Sequence, residues 1–559
     1  MEEIKGFLKN LASSFVGQAA VSTFFLAQLL FAYYGHQKKK YPSYNTSPIP
    51  NLPISCIQIL RKQGLGQLPQ SLLAWSREYK NDIGDMKIFT LNMPVTSYFR
   101  NPPVVMADSS VVRRVMLDKS SYKPKRMYNL TKGIHDPNVE NFFMANGHRW
   151  SHARKSMSAA FSSIHIKRMT NVTNEKVQDF MKHLDELQDN DTCKEDGDND
   201  DSASEGASFD VAEEMVSLTL SIICDAAFEY QMDEEEQREF LTNLQLALKE
   251  NRKRLIPLRA RFGAFIPTVR RARAAAMSVR KVGQKVLDNY RDYIMDNNPI
   301  KGTVIDCIVR DSSYENDEER VADILMILVA GHDTTGYSLA WALIELARNR
   351  EEQDRLRDDL LSLANVDDER INGKQNYKGR VNSRTLQCFI KESMRLNTVA
   401  PLAGFRCMSE DLIIYVGRGT TNRDRNVVSN SDGESSNSVT TATGTNENTA
   451  TSRMMVIKKH TMLIFASNLL LRDPKYFPDP DTFKPSRWDN ASKETTAAYF
   501  PFLVGRRNCL GQTLANAELT TVLSMLCARY EFTVDVEGTN TFFLTYKPVG
   551  YRLKAKRRR

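Results

Sequence analysis

The feature that most constrains the fold of this 559-residue chain is a long apolar segment past its midpoint. Residues Val321–Ala347 are apolar on nearly every face of a helix, which is typical of a helix buried through a protein core. Four consecutive polar residues, His332–Thr335, interrupt the segment, and polar side chains at such depth need partners. Either the helix ends at Gly331 and restarts with Asp333 as its N-cap, or the polar residues belong to a functional site.

The rest of the chain is large enough to surround this helix. Roughly 460 residues remain outside an apolar N-terminus and two polar segments, enough for one large single-core enzyme or two ordinary domains. A content of 41% hydrophobic and 26% charged residues excludes a disordered chain, a collagen and a multi-span membrane protein. The predicted fold class is mainly α with small β-sheets.

Local patterns support that class. Apolar stripes with a helical period, or long helix-forming runs, predict helices at Val172–Leu184, Phe209–Tyr230, Glu236–Glu250, Ala274–Met295 and Glu319–Leu363. Short strands are predicted at Ile88–Leu91, Val104–Ala107, Leu412–Tyr415 and Met455–Lys458.

Two segments are predicted to be disordered surface insertions. Asp185–Gly206 is strongly acidic and nearly free of apolar residues, and Arg418–Arg453 contains 23 Ser, Thr, Asn or Gly residues. The formal net charge is nevertheless +8, and the octet Arg552–Arg559 is highly basic. A basic body favours an anionic partner, either a membrane surface or an acidic protein. No nucleic acid is expected, because the chain has no zinc-finger spacing and no RNA-binding aromatic signature.

The N-terminus predicts a membrane anchor. Phe15–Tyr34 contains 20 residues without a charge, enough to cross a bilayer, and Lys38–Lys40 follows it. A cleaved signal peptide would have a shorter apolar region preceded by net positive charge. We therefore expect one transmembrane helix within residues 1–35, a Pro-rich linker at 36–52 and the main domain at 53–559 on the cytosolic side. The eight scattered cysteines contain no CxxC pair, which fits a reducing compartment.

The strongest chemical signal is the segment FPFLVGRRNCLG, which runs from Phe500 to Gly511. Its glycines permit a tight turn whose amides can point at the sulfur of Cys509. An apolar helix predicted at Leu510–Cys527 would favour a thiolate through its N-terminal dipole. Arg507 can reach a carboxylate of a bound macrocycle. The alternative is a buried structural cysteine in a loop.

This loop, with the Ala330–Thr335 sequence AGHDTT upstream of it, resembles the cytochrome P450 superfamily of the eukaryotic microsomal type over roughly residues 50–555. The resemblance implies the cytochrome P450 fold and a haem b (iron protoporphyrin IX) cofactor with Cys509 as the axial iron ligand. It places Phe502 and Arg507 in the same cofactor-binding loop. It also implies that Asp333 and Thr334 are catalytic and help to supply protons during oxygen activation.

Further matches extend the resemblance. Trp150 and Arg154 share one helical face at an i, i+4 spacing, and in the family this pair contacts a haem propionate, as does an arginine matching Arg406. An ordinary amphipathic helix is the alternative for Trp150 and Arg154. Glu392, Arg395 and Arg487 match a buried structural ion network of the family. Two departures are the 418–453 insertion and His460, which stands where the family has a glycine in a turn.

The resemblance implies a monooxygenase that inserts one oxygen atom from O2 into a hydrophobic, lipid-like substrate. Electrons would come from an NADPH-dependent flavoprotein reductase, since no nucleotide-binding Gly-rich loop follows a strand in this chain. The expected location is the endoplasmic reticulum membrane, with a role in lipid metabolism. Two alternatives stay open: an O2-independent haem-thiolate isomerase or dehydratase, and a non-catalytic membrane haem-binding protein.

Overall fold

The computed structural model of the protein describes residues 65–79, 87–90, 101–125, 133–136, 138–192, 206–253, 266–296, 301–364, 383–416 and 453–558. The predicted anchor at 1–35, the linker at 36–52 and most of the two predicted insertions lie outside these ranges. Within them, no helix is both long and apolar enough to span a bilayer.

The described part of the chain is mainly helical. Its α-helices are α1 Leu68–Glu78, α2 Ser109–Leu117, α3 Gly147–Ser158, α4 Ser163–Thr192, α5 Val211–Phe228, α6 Glu234–Lys253, α7 Pro267–Asp296, α8 Val304–Arg310, α9 Asp317–Arg348, α10 Arg350–Ala364, α11 Arg384–Leu396, α12 Ser467–Leu470, α13 Lys493–Ala498 and α14 Gln512–Arg529. All five predicted helices are confirmed, although the predicted span 319–363 is divided at Asn349 into α9 and α10.

The strands of the described ranges are short and form four small sheets. They are β1 Ile88–Thr90, β2 Val104–Met106, β3 Ser121–Tyr122, β4 Ala207–Asp210, β5 Leu402–Met408, β6 Leu412–Val416, β7 Arg453–Ile457, β8 Leu463–Ala466, β9 Tyr530–Val536, β10 Thr539–Phe542, β11 Tyr546–Val549 and β12 Arg552–Arg557. The largest sheet has the order β1-β2-β8-β5-β3, with β2 and β8 parallel. The others are β4-β12-β9, β10-β11 and β6-β7.

Helix α9 runs through the main hydrophobic core, as its sequence predicts. Its residues Leu325, Leu328, Leu339 and Leu343 have no exposed surface. Its N-terminus is capped by the Asn316 side chain, which accepts a hydrogen bond from a backbone amide of the first turn. The helix is continuous from 317 to 348, so the interpretation of a helix that stops at residue 331 and restarts is wrong.

Helices α5 and α9 cross at close range because α9 carries a glycine at the contact. A Cβ atom on Gly336 would lie 2.8 Å from Thr219 Oγ1 and 2.9 Å from the Cα of Val216. The hydroxyl of Thr219 donates to the carbonyl of His332 across the same contact, at 3.0 Å. The middle of α9 is therefore fixed against α5 next to the polar residues that interrupt its apolar sequence.

The predicted start of the acidic insertion at Asp185 is too early. Helix α4 continues to Thr192, and Asp185 accepts hydrogen bonds from Tyr530 Oη at 2.8 Å and Arg557 Nε at 3.0 Å, as well as one from Arg529. These partners lie more than 340 positions further along the chain, so local composition could not reveal them. Part of the basic C-terminus is thus neutralised by the chain itself.

The polar segment after residue 416 joins two strands that pair as a hairpin. Strands β6 and β7 are antiparallel from Leu412 opposite Ile457 to Val416 opposite Arg453, so the segment interrupts a small sheet, as predicted. Its predicted end at Arg453 already belongs to β7. In the turn after β7, His460 adopts φ 63°, the left-handed conformation that a glycine would accept without strain. His460 therefore adopts a backbone conformation that favours glycine.

A buried ion network anchors α11 to the chain ahead of α13. Both oxygens of Glu392 accept from Arg395, at 2.8 and 2.9 Å, and Arg487 Nε donates to the same carboxylate at 3.0 Å. Trp488 Nε1 and the amide of Lys484 also donate to Glu392, at 3.0 and 2.9 Å. Glu392 and Arg395 have no exposed side-chain surface, so the predicted structural network is present in the fold.

We expect Glu392→Ala to lower the free energy of unfolding by about 3–5 kcal/mol, because it leaves two buried guanidinium groups without their carboxylate. Glu352→Ala is the matched control, since Glu352 has the same i, i+3 spacing to Arg355 but that pair is partly exposed. It should cost no more than about 1 kcal/mol. Chemical denaturation of both variants measures the difference, and equal losses would contradict the role of the network.

Candidate active site

The loop that carries Cys509 is held in shape by its own backbone. The amide of Cys509 donates to the carbonyl of Phe502 at 2.9 Å. Gly505 has φ 83°, and a Cβ atom there would lie 2.5 Å from the carbonyl oxygen of Met116. Only glycine fits this position without displacing α2. Phe502 contributes its carbonyl to the loop, and its ring is partly buried.

The surroundings of Cys509 favour a ligand rather than a structural thiol. The side chain has accessible surface, so the interpretation of a buried structural cysteine is not supported. Protein atoms still surround the sulfur closely, and this desolvation raises the pKa of the Cys509 thiol. The backbone amide of Gly511 and the positive charge of Arg154 act in the opposite direction. Both stabilise a thiolate at this position. Helix α14 begins at Gln512, two residues later than predicted.

The acid and alcohol predicted to be catalytic lie in the middle of the unbroken helix α9. Thr334 Oγ1 donates to the carbonyl of Ala330, one turn earlier, at 2.8 Å. Ala330 is exposed, whereas residues 321–329 directly before it are all buried. The carbonyl of Ala330 accepts a side-chain hydroxyl, a type of hydrogen bond that often bends helices, although α9 stays continuous here.

Asp333 is held by a residue that the sequence did not single out. Thr545 Oγ1 donates to Asp333 Oδ2 at 2.7 Å from the turn between β10 and β11. That turn is fixed to α9, because Trp341 Nε1 donates to the carbonyl of Tyr546 at 3.1 Å and the two rings stack 5.3 Å apart. Nothing in the local sequence marks Thr545, which lies 212 positions from Asp333.

His332, the first of the four polar residues, has a different environment. Its Nδ1 donates to the carbonyl of Leu328 at 2.7 Å, and its ring packs edge-on against Phe240 with 6.3 Å between centroids. Burial lowers the pKa of His332, so the imidazole is neutral at physiological pH. We assign it no part in the proton supply.

Four cations form a cluster near the cysteine loop. We call Lys123, Arg154, Arg406 and Arg507 the cationic cluster. Burial lowers the pKa of Lys123 well below its usual value, and the charges of Arg406, Arg507 and Arg154 lower it further, in that order. Cations this close repel one another, so an anion placed among them would be stabilised. Lys123 was not predicted, because an isolated lysine beside a short strand carries no sequence signal.

The arginines of the cationic cluster are each fixed by backbone or aromatic contacts. Arg507 donates to the carbonyl of Ala145 at 2.9 Å and lies over the ring of Trp150, 4.1 Å from its centroid. Arg154 donates to the carbonyl and side chain of Asn508 at 2.8 and 2.7 Å, next to the cysteine. The predicted pair of residues 150 and 154 therefore lies on one helix, α3, and contacts the cysteine loop.

Arg406 lies on β5 and is 1% exposed. Its Nη1 donates to the carbonyl of Phe405 at 2.9 Å. The structure thus brings Arg406 to the cationic cluster on β5, the strand that pairs with β3 directly before Lys123, although almost 250 residues separate it from α3.

These features fit a haem. A cysteine whose neighbours stabilise a thiolate can bind its iron, and the cationic cluster can neutralise its two propionates. Fold and site together define a haem-thiolate protein.

The comparisons with known proteins agree. The family model described as Cytochrome P450 matches residues 78–415 and 445–554. The chain belongs to this family, whose members bind haem through a cysteine thiolate, and it is an oxidoreductase of the monooxygenase class.

The chain is similar to several curated proteins. It is 25% identical to human cytochrome P450 4F12 over 459 residues, 78% of this chain and 76% of that protein. It is 24% identical to human cytochrome P450 4F11, covering 83% and 84%. Rat sterol 26-hydroxylase, mitochondrial, is 23% identical, covering 78% and 76%. The match to probable cytochrome P450 4d21 of Drosophila melanogaster, at 27% identity, spans 46% of this chain and less than half of that relative.

A solved structure supports the fold. The haem domain of cytochrome P450DA superimposes with a TM-score of 0.68 at 18% sequence identity, covering 92% of this chain and 98% of that one. The predicted cytochrome P450 fold is confirmed.

Proposed function

We propose that this protein inserts one oxygen atom from O2 into a hydrophobic, lipid-like molecule, with haem b as its cofactor and Cys509 as the axial ligand. The observation that carries the proposal is the Asp333–Thr334 pair on α9, with the threonine hydroxyl bonded to the carbonyl of Ala330 at 2.8 Å. An enzyme that needs no protons from solvent would have little use for an acid and an alcohol in an apolar helix.

The haem-binding residues have separate tasks. Cys509 supplies the thiolate, and Phe502 fixes the position of the cysteine by accepting its amide at 2.9 Å. The cationic cluster neutralises the propionates, and Trp150 supports Arg507 through the stacked ring. We add Lys123 to the predicted set of residues on this basis.

When bound, the haem supplies the redox chemistry: two electrons and two protons convert O2 into one oxygen atom transferred to substrate and one molecule of water. The chain has to supply the protons in order. Thr334 places a hydroxyl, hydrogen-bonded to Ala330 O, in the otherwise apolar middle of α9. Asp333 is partly buried and can exchange its bond to Thr545 for a water, so it can carry protons from outside the apolar interior.

Apolar side chains support the proposed substrate class. Phe142, Phe143, Val399 and Phe543 are partly buried hydrophobic residues packed against the main core. One similar protein, rat sterol 26-hydroxylase, is named for the oxidation of a sterol, which is an apolar lipid. A fatty acid, a sterol or another terpenoid is the proposed substrate, and the proposed role is in lipid metabolism.

Electrons would come from an NADPH-dependent flavoprotein reductase at the membrane. The uncharged run Phe15–Tyr34, followed by three lysines, supports a single-pass anchor in the endoplasmic reticulum with the catalytic domain in the cytosol. This is also the compartment in which a lipid substrate and a membrane-bound reductase would meet.

One assay distinguishes the proposal from an O2-independent isomerase or dehydratase and from a non-catalytic haem-binding protein. The holoprotein is first titrated with a panel of fatty acids, sterols and terpenoids, and binding is read from the haem spectrum. Bound compounds are then incubated with a flavoprotein reductase, with and without NADPH and O2. Product that requires both supports the proposal. Product formed without either indicates an isomerase, and binding without product indicates a haem-binding protein.

A further inference from the structure

A fully buried carboxylate lies on α9, three helical turns before the catalytic pair. Asp323 has no exposed surface. Its Oδ1 accepts from the amide of Phe142 at 2.6 Å. Its Oδ2 accepts from Tyr314 Oη at 2.7 Å and from Arg149 Nη2 at 3.2 Å. The carboxylate thereby ties two other parts of the chain to α9.

Burying this charge is costly unless the surroundings compensate for it. Desolvation raises the pKa of Asp323, against the opposing effects of Arg149, Tyr314 and the Phe142 amide, to about 6. These three donors favour the ionised carboxylate over the neutral acid. The guanidinium of Arg149 also lies over the Tyr314 ring, 4.7 Å from its centroid. Such a network is retained at a cost, which suggests that its geometry matters.

The hydrogen bond from the Phe142 amide connects Asp323 to a turn that supplies hydrogen-bond acceptors to the cationic cluster. The turn Phe142–Asn146 is closed by the carbonyl of Asn141, which accepts the amides of Met144 and Ala145. Three of its groups then bind cations, as follows: Phe143 O accepts from Lys123 Nζ, Ala145 O from Arg507 Nη1 at 2.9 Å, and Asn146 Oδ1 from Arg507 Nη2 at 3.0 Å.

The same turn also holds the backbone of Lys123. Asn146 Oδ1 accepts from the amide of Lys123 at 3.0 Å, and Asn146 Nδ2 donates to its carbonyl at 3.0 Å. Since the amide of Phe142 is the first in the turn, its bond to Asp323 sets the position of the acceptors that follow.

The hydrogen bond from Arg149 connects Asp323 to α3. Arg149 precedes Trp150 directly and lies just over one turn before Arg154 on that helix. A bond from Arg149 to Asp323 therefore fixes the rotation and depth of the helix that carries the other half of the haem-binding contacts.

We propose that Asp323 is a positioning residue for the haem site: it holds the Phe142–Asn146 turn and α3 so that the cationic cluster is preassembled for the haem propionates. This inference rests on the proposed haem-binding role of the cluster, but not on the reaction that the haem supports. Asp323 touches none of the four cations and acts through the backbone and through α3.

The test compares Asp323→Asn with a control of the same chemistry. The side-chain oxygen of asparagine can still accept a hydrogen bond from the Phe142 amide. Its NH2 group, however, would face Tyr314 and Arg149, which are donors themselves. Asp306→Asn is the control, because Asp306 is also buried, at 4% exposed, and has the same three kinds of donor. It accepts from the Tyr290 hydroxyl at 3.0 Å, from Arg310, and from the Gly302 amide at 2.8 Å. None of these partners belongs to the turn or to the cationic cluster.

Two quantities are measured without NADPH or turnover: the rate at which ferric holoprotein loses haem to excess apomyoglobin, and the hydrogen exchange of the 142–146 amides. Asp323→Asn should accelerate haem loss roughly tenfold, as expected when a charged hydrogen bond is lost. The amides of the turn should lose protection. Asp306→Asn should lower thermal stability to a similar degree while leaving haem loss and the turn unchanged.

If Asp323→Asn does not fold, Tyr314→Phe tests the same network, since it removes a single donor and should give a smaller increase in haem loss. The proposal is overturned if the residue 323 variant, or Tyr314→Phe in its place, loses haem at the wild-type rate. It is also overturned if the variants of residues 323 and 306 accelerate haem loss equally. A chain that bound haem normally but formed no oxidised product would refute the proposed function and leave this inference standing.

Discussion

Cys509→Ser should abolish the red-shifted Soret band that the reduced CO complex of a thiolate-ligated haem gives. A serine hydroxyl is a hard, protonated ligand and a poor replacement for thiolate on this iron. In wild type the Gly511 amide and the charge of Arg154 both lower the pKa of the cysteine against the effect of burial, so these groups are placed to stabilise the anion. The CO-difference spectrum of the purified variant measures the effect.

Cys407→Ser is the matched control for this experiment. Cys407 is adjacent to Arg406 of the cationic cluster, but burial raises the pKa of its thiol to about 11, so it stays protonated. The variant should keep the red-shifted band. A Cys509→Ser protein that retained the band, or a Cys407→Ser protein that lost it, would remove Cys509 from the ligand role.

Thr334→Ala should separate electron consumption from product formation. Haem content and substrate binding should be unchanged, NADPH consumption should continue, and product per NADPH should fall by roughly tenfold or more as hydrogen peroxide rises. The reason is the role proposed for the Thr334 hydroxyl, which donates to Ala330 O in the middle of α9 and would take part in ordered proton delivery. Simultaneous measurement of NADPH, product and peroxide gives the result.

Helix α9 offers a close control for that variant. Ser338 Oγ donates to the carbonyl of Thr334 at 2.8 Å, the same back-bond one turn later. Ser338→Ala should leave product per NADPH unchanged, and Thr334→Ser should restore most of the coupling. If wild-type product formation needs neither O2 nor NADPH and Thr334→Ala does not alter its rate, the monooxygenase proposal is wrong and the isomerase alternative replaces it.

The sequence by itself determined the features that depend on local patterns. The apolar stretch around residue 330 predicted a buried helix because its side chains are apolar on every face. The glycine and cysteine spacing of the 500–511 loop predicted its compact turn, and Gly505 does lie where no side chain fits. The Glu392 network was also predictable, but only because its residues precede the cysteine loop in the order expected from the family. The Glu-x-x-Arg spacing alone is not informative, since at residues 352 and 355 it forms a surface pair.

Only the tertiary structure decided which distant residues complete each site. Thr545 donates to Asp333 across 212 positions, and Asp185 accepts from Arg529 at the end of α14 and from Arg557 in the last strand. Lys123 becomes part of the cationic cluster because the 142–146 turn and β5 bring three arginines close to it. A single polar residue carries no periodicity, so its role depends on what packing places beside it. Burial then strengthens each such contact, because water no longer competes for the charge or the hydrogen bond.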